Sequence, residues 1–122
     1  IFALTHWPRL SIAIGVPRPD LLIHLIVFFL WTLLLAVCRP AGPLLSGRNT
    51  RWTAGIAIVY AVFDELTQGI PGINRAVGID DLAANIAGIG IAVAALLIAR
   101  RAALGRSRGR PHTYPTAASA ET

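Results

Sequence analysis

Lysine and methionine are absent from this chain of 122 residues, and charge of either sign is scarce: charged residues make up 14% against 55% hydrophobic. With a mean hydropathy of +0.64, that balance lies outside the range of an ordinary soluble domain of this length. The single cysteine, Cys38, excludes an internal disulfide and with it a stapled scaffold. No serine sits in a nucleophile elbow, and there is no catalytic Cys–His pairing or phosphate loop. Gly88-Ile89-Gly90 lacks the third glycine and the preceding strand of a dinucleotide fingerprint. Nothing before residue 20 reads as a signal peptide, because Pro8, Pro17 and Pro19 break a short apolar stretch. All eleven basic residues are arginine, and they sit in loops and the tail. We read them as markers of membrane topology, so no nucleic acid partner is expected.

What is present is a set of long apolar runs. They predict an all-α, integral membrane helical bundle with three visible transmembrane helices, in contact with the lipid bilayer. The first span runs from about Leu21 to Cys38, just long enough at ~1.5 Å per residue to cross a ~30 Å hydrocarbon layer. Asp20 is expected as its N-cap, and Arg39-Pro40 as its stop. The second runs from about Trp52 to Gln68 or Ile70, ended by Pro71-Gly72, with Ser46 an ordinary loop residue. The third runs from Leu82 to Ala99, capped by Asp80 or Asp81 and closed by Arg100-Arg101. Ala84, Gly88 and Ala92 form a small-residue seam suited to close helix packing. Residues 1–101 thus read as a transmembrane domain and 102–122 as a disordered, basic, Pro-containing tail.

Arginine placement sets the expected orientation. Arg39, Arg48, Arg51, Arg100, Arg101, Arg106, Arg108 and Arg110 fall on one side, and Arg9, Arg18 and Arg75 on the other. The positive-inside rule then puts the C-terminus in the cytoplasm of a multi-pass protein. The start at Ile1 suggests that a further span precedes it, giving four in the full-length protein.

With that orientation, polar groups from separate pieces of chain converge on the outer face. Asp20 and His24 open the first span, Asp64, Glu65 and Gln68 close the second, Arg75 lies in the loop, and Asp80, Asp81 and Asn85 open the third. Intramembrane ionisable groups mark function by default. Glu65 and His24 are candidate catalytic groups, able to exchange protons or accept hydrogen bonds. Asp20, Gln68, Arg75, Asp81 and Asn85 are candidate ligand-binding groups: the amides both donate and accept, and the guanidinium holds an anion. The competing reading is structural, with Asp80 or Asp81 as caps, Asn85 as interhelical glue and Arg75–Glu65 as a closing pair. No ligand pair has the tight spacing of a metal motif, so neither a metal nor any other cofactor is expected.

Three pieces of this pattern resemble the VanZ-like family of small bacterial membrane proteins, named for a protein linked to teicoplanin resistance. Glu65-x-x-Gln68 is similar to the family's Glu-x-x-Gln at the end of a span. Arg75 followed by Asp81-x-x-x-Asn85-x-x-Gly88 is similar to its Arg…Asp-x-x-x-Asn-x-x-Gly segment. His6-x-Pro8 and Asp20-x-x-x-His24 resemble its upstream elements, except that the family's lysine after the aspartate is Leu21 here. The resemblance covers about residues 5–98. It implies a four-span fold in the bacterial cytoplasmic (inner) membrane and a role in glycopeptide tolerance or on a lipid-linked cell-wall component. The alternative is a non-catalytic membrane scaffold or subunit whose polar cluster is structural or docks a partner.

Overall fold

The computed structural model describes residues 18–68 and 78–108. Its elements are three helices in order: α1 (Pro19–Val37), α2 (Gly47–Gln68) and α3 (Ile79–Arg108). They alternate in direction, so the N-termini of α1 and α3 share an end with the C-terminus of α2.

α1 starts with proline at its first position, where the missing N–H costs nothing, after Arg18 in the left-handed region at φ 61°. Asp20 therefore lies inside the first turn and is not the N-cap expected from sequence. It still faces the positive end of the helix dipole. His24, Phe28, Thr32 and Ala36 recur every fourth residue and form the one buried stripe of α1. Leu22, Ile26, Leu30 and Leu34 are exposed on its other sides. The same inversion runs through the bundle: amides, hydroxyls and carboxylates are inside, and most Leu, Ile and Val side chains are outside, with Ile89 and Leu96 buried. In water that arrangement would be penalised, whereas in lipid the outward apolar surface costs nothing. α1 and α3 are each long and apolar enough to cross a membrane. α2 is long enough but polar at both ends, with Arg48, Asn49 and Arg51 at one and Asp64, Glu65 and Gln68 at the other.

α1 and α3 make the closest contact, and a missing side chain permits it. A Cβ on Gly88 would stand 2.2 Å from the Leu25 carbonyl oxygen and 3.0 Å from the Phe29 nitrogen. Of the expected seam, Gly88 and Ala92 are buried and Ala84 half-buried. α2 joins through Phe28, Ala57, Ala61 and Ile89, the apolar core, while Tyr60 packs its ring against Phe28, Trp31 and Phe63 at centroid distances of 5.7–6.3 Å.

The turn between α1 and α2 hangs on one buried amide. Asn49 accepts from the Ala41 N–H at 3.2 Å and donates to the carbonyls of Ala36 and Leu44 at 3.0 and 3.3 Å. Ser46, expected as an ordinary loop residue, is the N-cap of α2: its Oγ accepts from the Asn49 N–H at 3.1 Å. α2 consequently begins at Gly47, a full turn before Trp52. Ser46→Ala should lower unfolding stability by about 1 kcal/mol, measured by titration from mild into denaturing detergent. α3 also exceeds its expected bounds, continuing through Arg100-Arg101 to Arg108. Residues 102–108, read from sequence as the start of a disordered tail, are helical. Residues 109–122 lie outside the described part, as do His6 and Pro8.

Candidate functional site

One end of the bundle collects the polar side chains, and each helix brings its own by a simple spacing. On α1, His24 stands one turn above Phe28, whose ring closes the apolar core beneath it. On α2, the last turn brings Asp64, Glu65 and Gln68 inward. On α3, Asp81 and Asn85 share a face at the four-residue spacing, one turn above Gly88 and Ile89. His24, Asp64, Glu65, Gln68, Asp81 and Asn85 are all buried, at 7% exposure or less.

The central contact joins α1 to α3. His24 Nδ1 lies 3.0 Å from Asn85 Oδ1, and His24 Nε2 lies 3.9 Å from Asp81 Oδ2. An amide oxygen only accepts, so this pairing puts the proton of the neutral ring on Nδ1 and turns Nε2 towards the Asp81 carboxylate. A second proton on Nε2 would convert the contact to an ion pair. The imidazole is thus set between a neutral acceptor and a carboxylate.

α2 is tied to α3 through backbone. Glu65 Oε1 accepts the Gly78 N–H, and the Gly78 carbonyl accepts the amides of Asp81 and Leu82 in the first turn of α3. Gly78 therefore occupies the N-cap position, and neither Asp80 nor Asp81 is the N-cap expected from sequence. Asp80 is exposed and pairs with Arg18 at 2.6 Å, while Asp81 is buried beside His24. Gln68 donates to Asp64 Oδ2 at 3.3 Å. Three buried atoms at this end, Glu65 Oε2, Gln68 Oε1 and Asn85 Nδ2, have no hydrogen-bond partner among the described residues. Two are acceptors and one a donor, so a group bearing hydroxyls or amides could satisfy them.

Five of the seven candidate residues are thus buried together: His24, Glu65, Gln68, Asp81 and Asn85. Asp20 is half-buried in the first turn of α1, and the described contacts of His24 go to Asn85 and Asp81 instead. Arg75 lies outside the described residues. Sequence reasoning missed Gly78 and Arg18, although a glycine just before Ile79-Asp80-Asp81 is itself a helix-start signal. Among the described residues, no three His, Cys, Asp or Glu side chains are placed to share a metal ion. A family model described as VanZ/LLP1 matches residues 9–100. No curated protein and no solved structure matches the chain.

Proposed function

Because the chain belongs to the VanZ/LLP1 family, we propose that it is a multi-pass protein of the bacterial cytoplasmic membrane in which α2 spans alongside α1 and α3. Its polar end faces outward and its C-terminus lies in the cytoplasm. In this reading the buried end takes a hydroxyl- and amide-rich envelope component, a glycopeptide such as teicoplanin or a lipid-linked cell-wall intermediate. Glu65 and His24 are the proton-handling groups. Gln68, Asp81 and Asn85 orient the ligand, and Arg75 holds an anionic group.

The observation that carries the proposal is the set of buried atoms on Glu65, Gln68 and Asn85 that have no hydrogen-bond partner among the described residues, contributed by two helices beside an imidazole from the third. A bundle needing only to close itself would pair such atoms, since each one buried without a partner costs about 1–3 kcal/mol. The second reading, a scaffold without chemistry, draws support from the pairs that are made, Glu65 with Gly78 and His24 with Asn85.

Glu65→Gln separates the two. The amide keeps an oxygen for the Gly78 N–H, so the fold survives while the carboxylate is lost. Cells carrying the native protein should tolerate more teicoplanin than cells without it, and Glu65→Gln at matched membrane level should return them to the unprotected value. Equal protection by both would make the cluster structural, and protection by neither would remove glycopeptides from the reading.

A further inference from the structure

Along most of its length, from Arg48 to Phe63, α2 presents a face that neither α1 nor α3 covers. An open groove of about 710 Å³ runs along it past Trp52, Gly55, Ile56, Val59 and Phe63, a volume within the usual ~300–1,000 Å³ range of ligand clefts. Gly55 forms its waist: a Cβ built there meets nothing within 4 Å. At the mouth stand Arg48 and Arg51, three residues apart and both exposed. Arg100 adds a third guanidinium nearby, lying so close over Gly47 that a Cβ on that glycine would be 2.9 Å from its Nη1.

We propose that this groove seats an anionic phospholipid, its acyl chain along Gly55, Ile56 and Val59 and its phosphate at Arg48 and Arg51. Charge decides among the possible occupants. Two copies in one bilayer share an orientation, so a symmetric pair over this face would bring Arg48 and Arg51 towards their own counterparts. Residues 1–17 of the chain contain Arg9 and no carboxylate, so they offer nothing to the guanidinia. A phospholipid with an anionic head supplies both halves at once. Trp52, 57% exposed and one turn into the helix, sits at the depth where tryptophan favours the headgroup boundary. The proposal shares with the proposed function only the membrane placement of α2 and is independent of the polar end.

The test uses the full chain with Trp52 as its sole tryptophan (Trp7→Phe, Trp31→Phe), reconstituted in phosphatidylcholine vesicles. A minority lipid brominated on its acyl chain, phosphatidylglycerol or phosphatidylcholine, quenches the fluorescence. Half-maximal quenching should need about tenfold less of the glycerol lipid, the order expected for two arginines beside an anionic head. Arg48→Gln with Arg51→Gln should abolish the preference, and Gly55→Leu should weaken quenching by both lipids. Equal quenching by the two lipids would overturn the seat and leave the membrane placement standing. No quenching by either would overturn the seat, as for a groove filled by protein or an α2 outside the bilayer. Native mass spectrometry of the unmodified chain gives a second reading that does not depend on the tryptophan substitutions. Retained phosphatidylglycerol that disappears in the double arginine variant supports the seat, and its absence from the unmodified chain overturns it.

Discussion

Gly88→Ala is expected to separate α1 from α3 and to remove most of the folded protein. The added methyl would stand 2.2 Å from a backbone oxygen of the neighbouring helix, and a backbone atom cannot swing aside as a side chain can. Overpacking a core typically costs about 1–3 kcal/mol, and this site should reach ~3 kcal/mol or more because both colliding elements are helices. The effect reaches the polar end directly. Leu25 follows His24 and Gly88 lies one turn past Asn85, so widening this crossing also pulls apart the 3.0 Å contact between the ring and the amide. Gly90→Ala is the matched control. Beyond its own stretch of helix backbone nothing lies within 4 Å of its Cβ position, and alanine is the better helix former by roughly 0.5–1 kcal/mol. In a thermal unfolding series in detergent, the substitution at 88 should lower the midpoint sharply, and that at 90 should leave it unchanged or raise it. A tolerated alanine at 88 would show that the two helices do not meet there.

Asn49→Ala should be nearly as damaging, from the opposite end. The side chain serves three backbone groups, at Ala36, Ala41 and Leu44, and is itself fully buried. Alanine takes away the Asn49 partner of the Leu44 carbonyl and of the Ala41 amide and leaves the Ala36 carbonyl with the Arg39 N–H alone, at ~1–3 kcal/mol for each group that stays dry and unpaired, so a net loss of roughly 3 kcal/mol is expected. Asn49→Asp is the informative companion, keeping an acceptor for the Ala41 N–H but no donor for the two carbonyls. If donors to Ala36 and Leu44 hold the turn, the aspartate should fall close to alanine. If the acceptor dominates, it should stay near the native value. Unfolding by graded denaturing detergent, followed by helical circular dichroism, measures all three proteins on one scale.

The gathering of His24, Glu65, Gln68, Asp81 and Asn85 could be read in the sequence because helices of alternating direction return their polar turns to one end. What the sequence could not supply was which of them touch. Asp20 is four residues from His24, yet the ring faces α3, because the close approach at Gly88 brings Asn85 and Asp81 nearer. Caps were misassigned for a related reason. Asp20, Asp80 and Asp81 are all good cap residues, but Pro19 and Gly78 set where the helices begin and put the carboxylates two or three places inward of the cap. The end of α3 was misplaced because an apolar run and a helix are different things. Arg100-Arg101 ends the greasy stretch, while the Ala, Leu and Arg residues that follow are strong helix formers and carry the backbone hydrogen bonds onward. Asn49 gave no signal at all, since its partners are main-chain groups that any sequence supplies.

That extra length makes α3 a built-in ruler. At ~1.5 Å per residue its 30 residues stretch roughly 45 Å, well beyond a hydrocarbon layer of about 30 Å. With the first turn held at the polar end by Gly78 and Glu65, a crossing of such a layer leaves the surplus on the far side as a stiff stalk of roughly 15 Å, nearly three turns. A probe attached near Ser107 would therefore report tilt and rotation of the polar end from across the bilayer, as a pointer reports the angle of its axle.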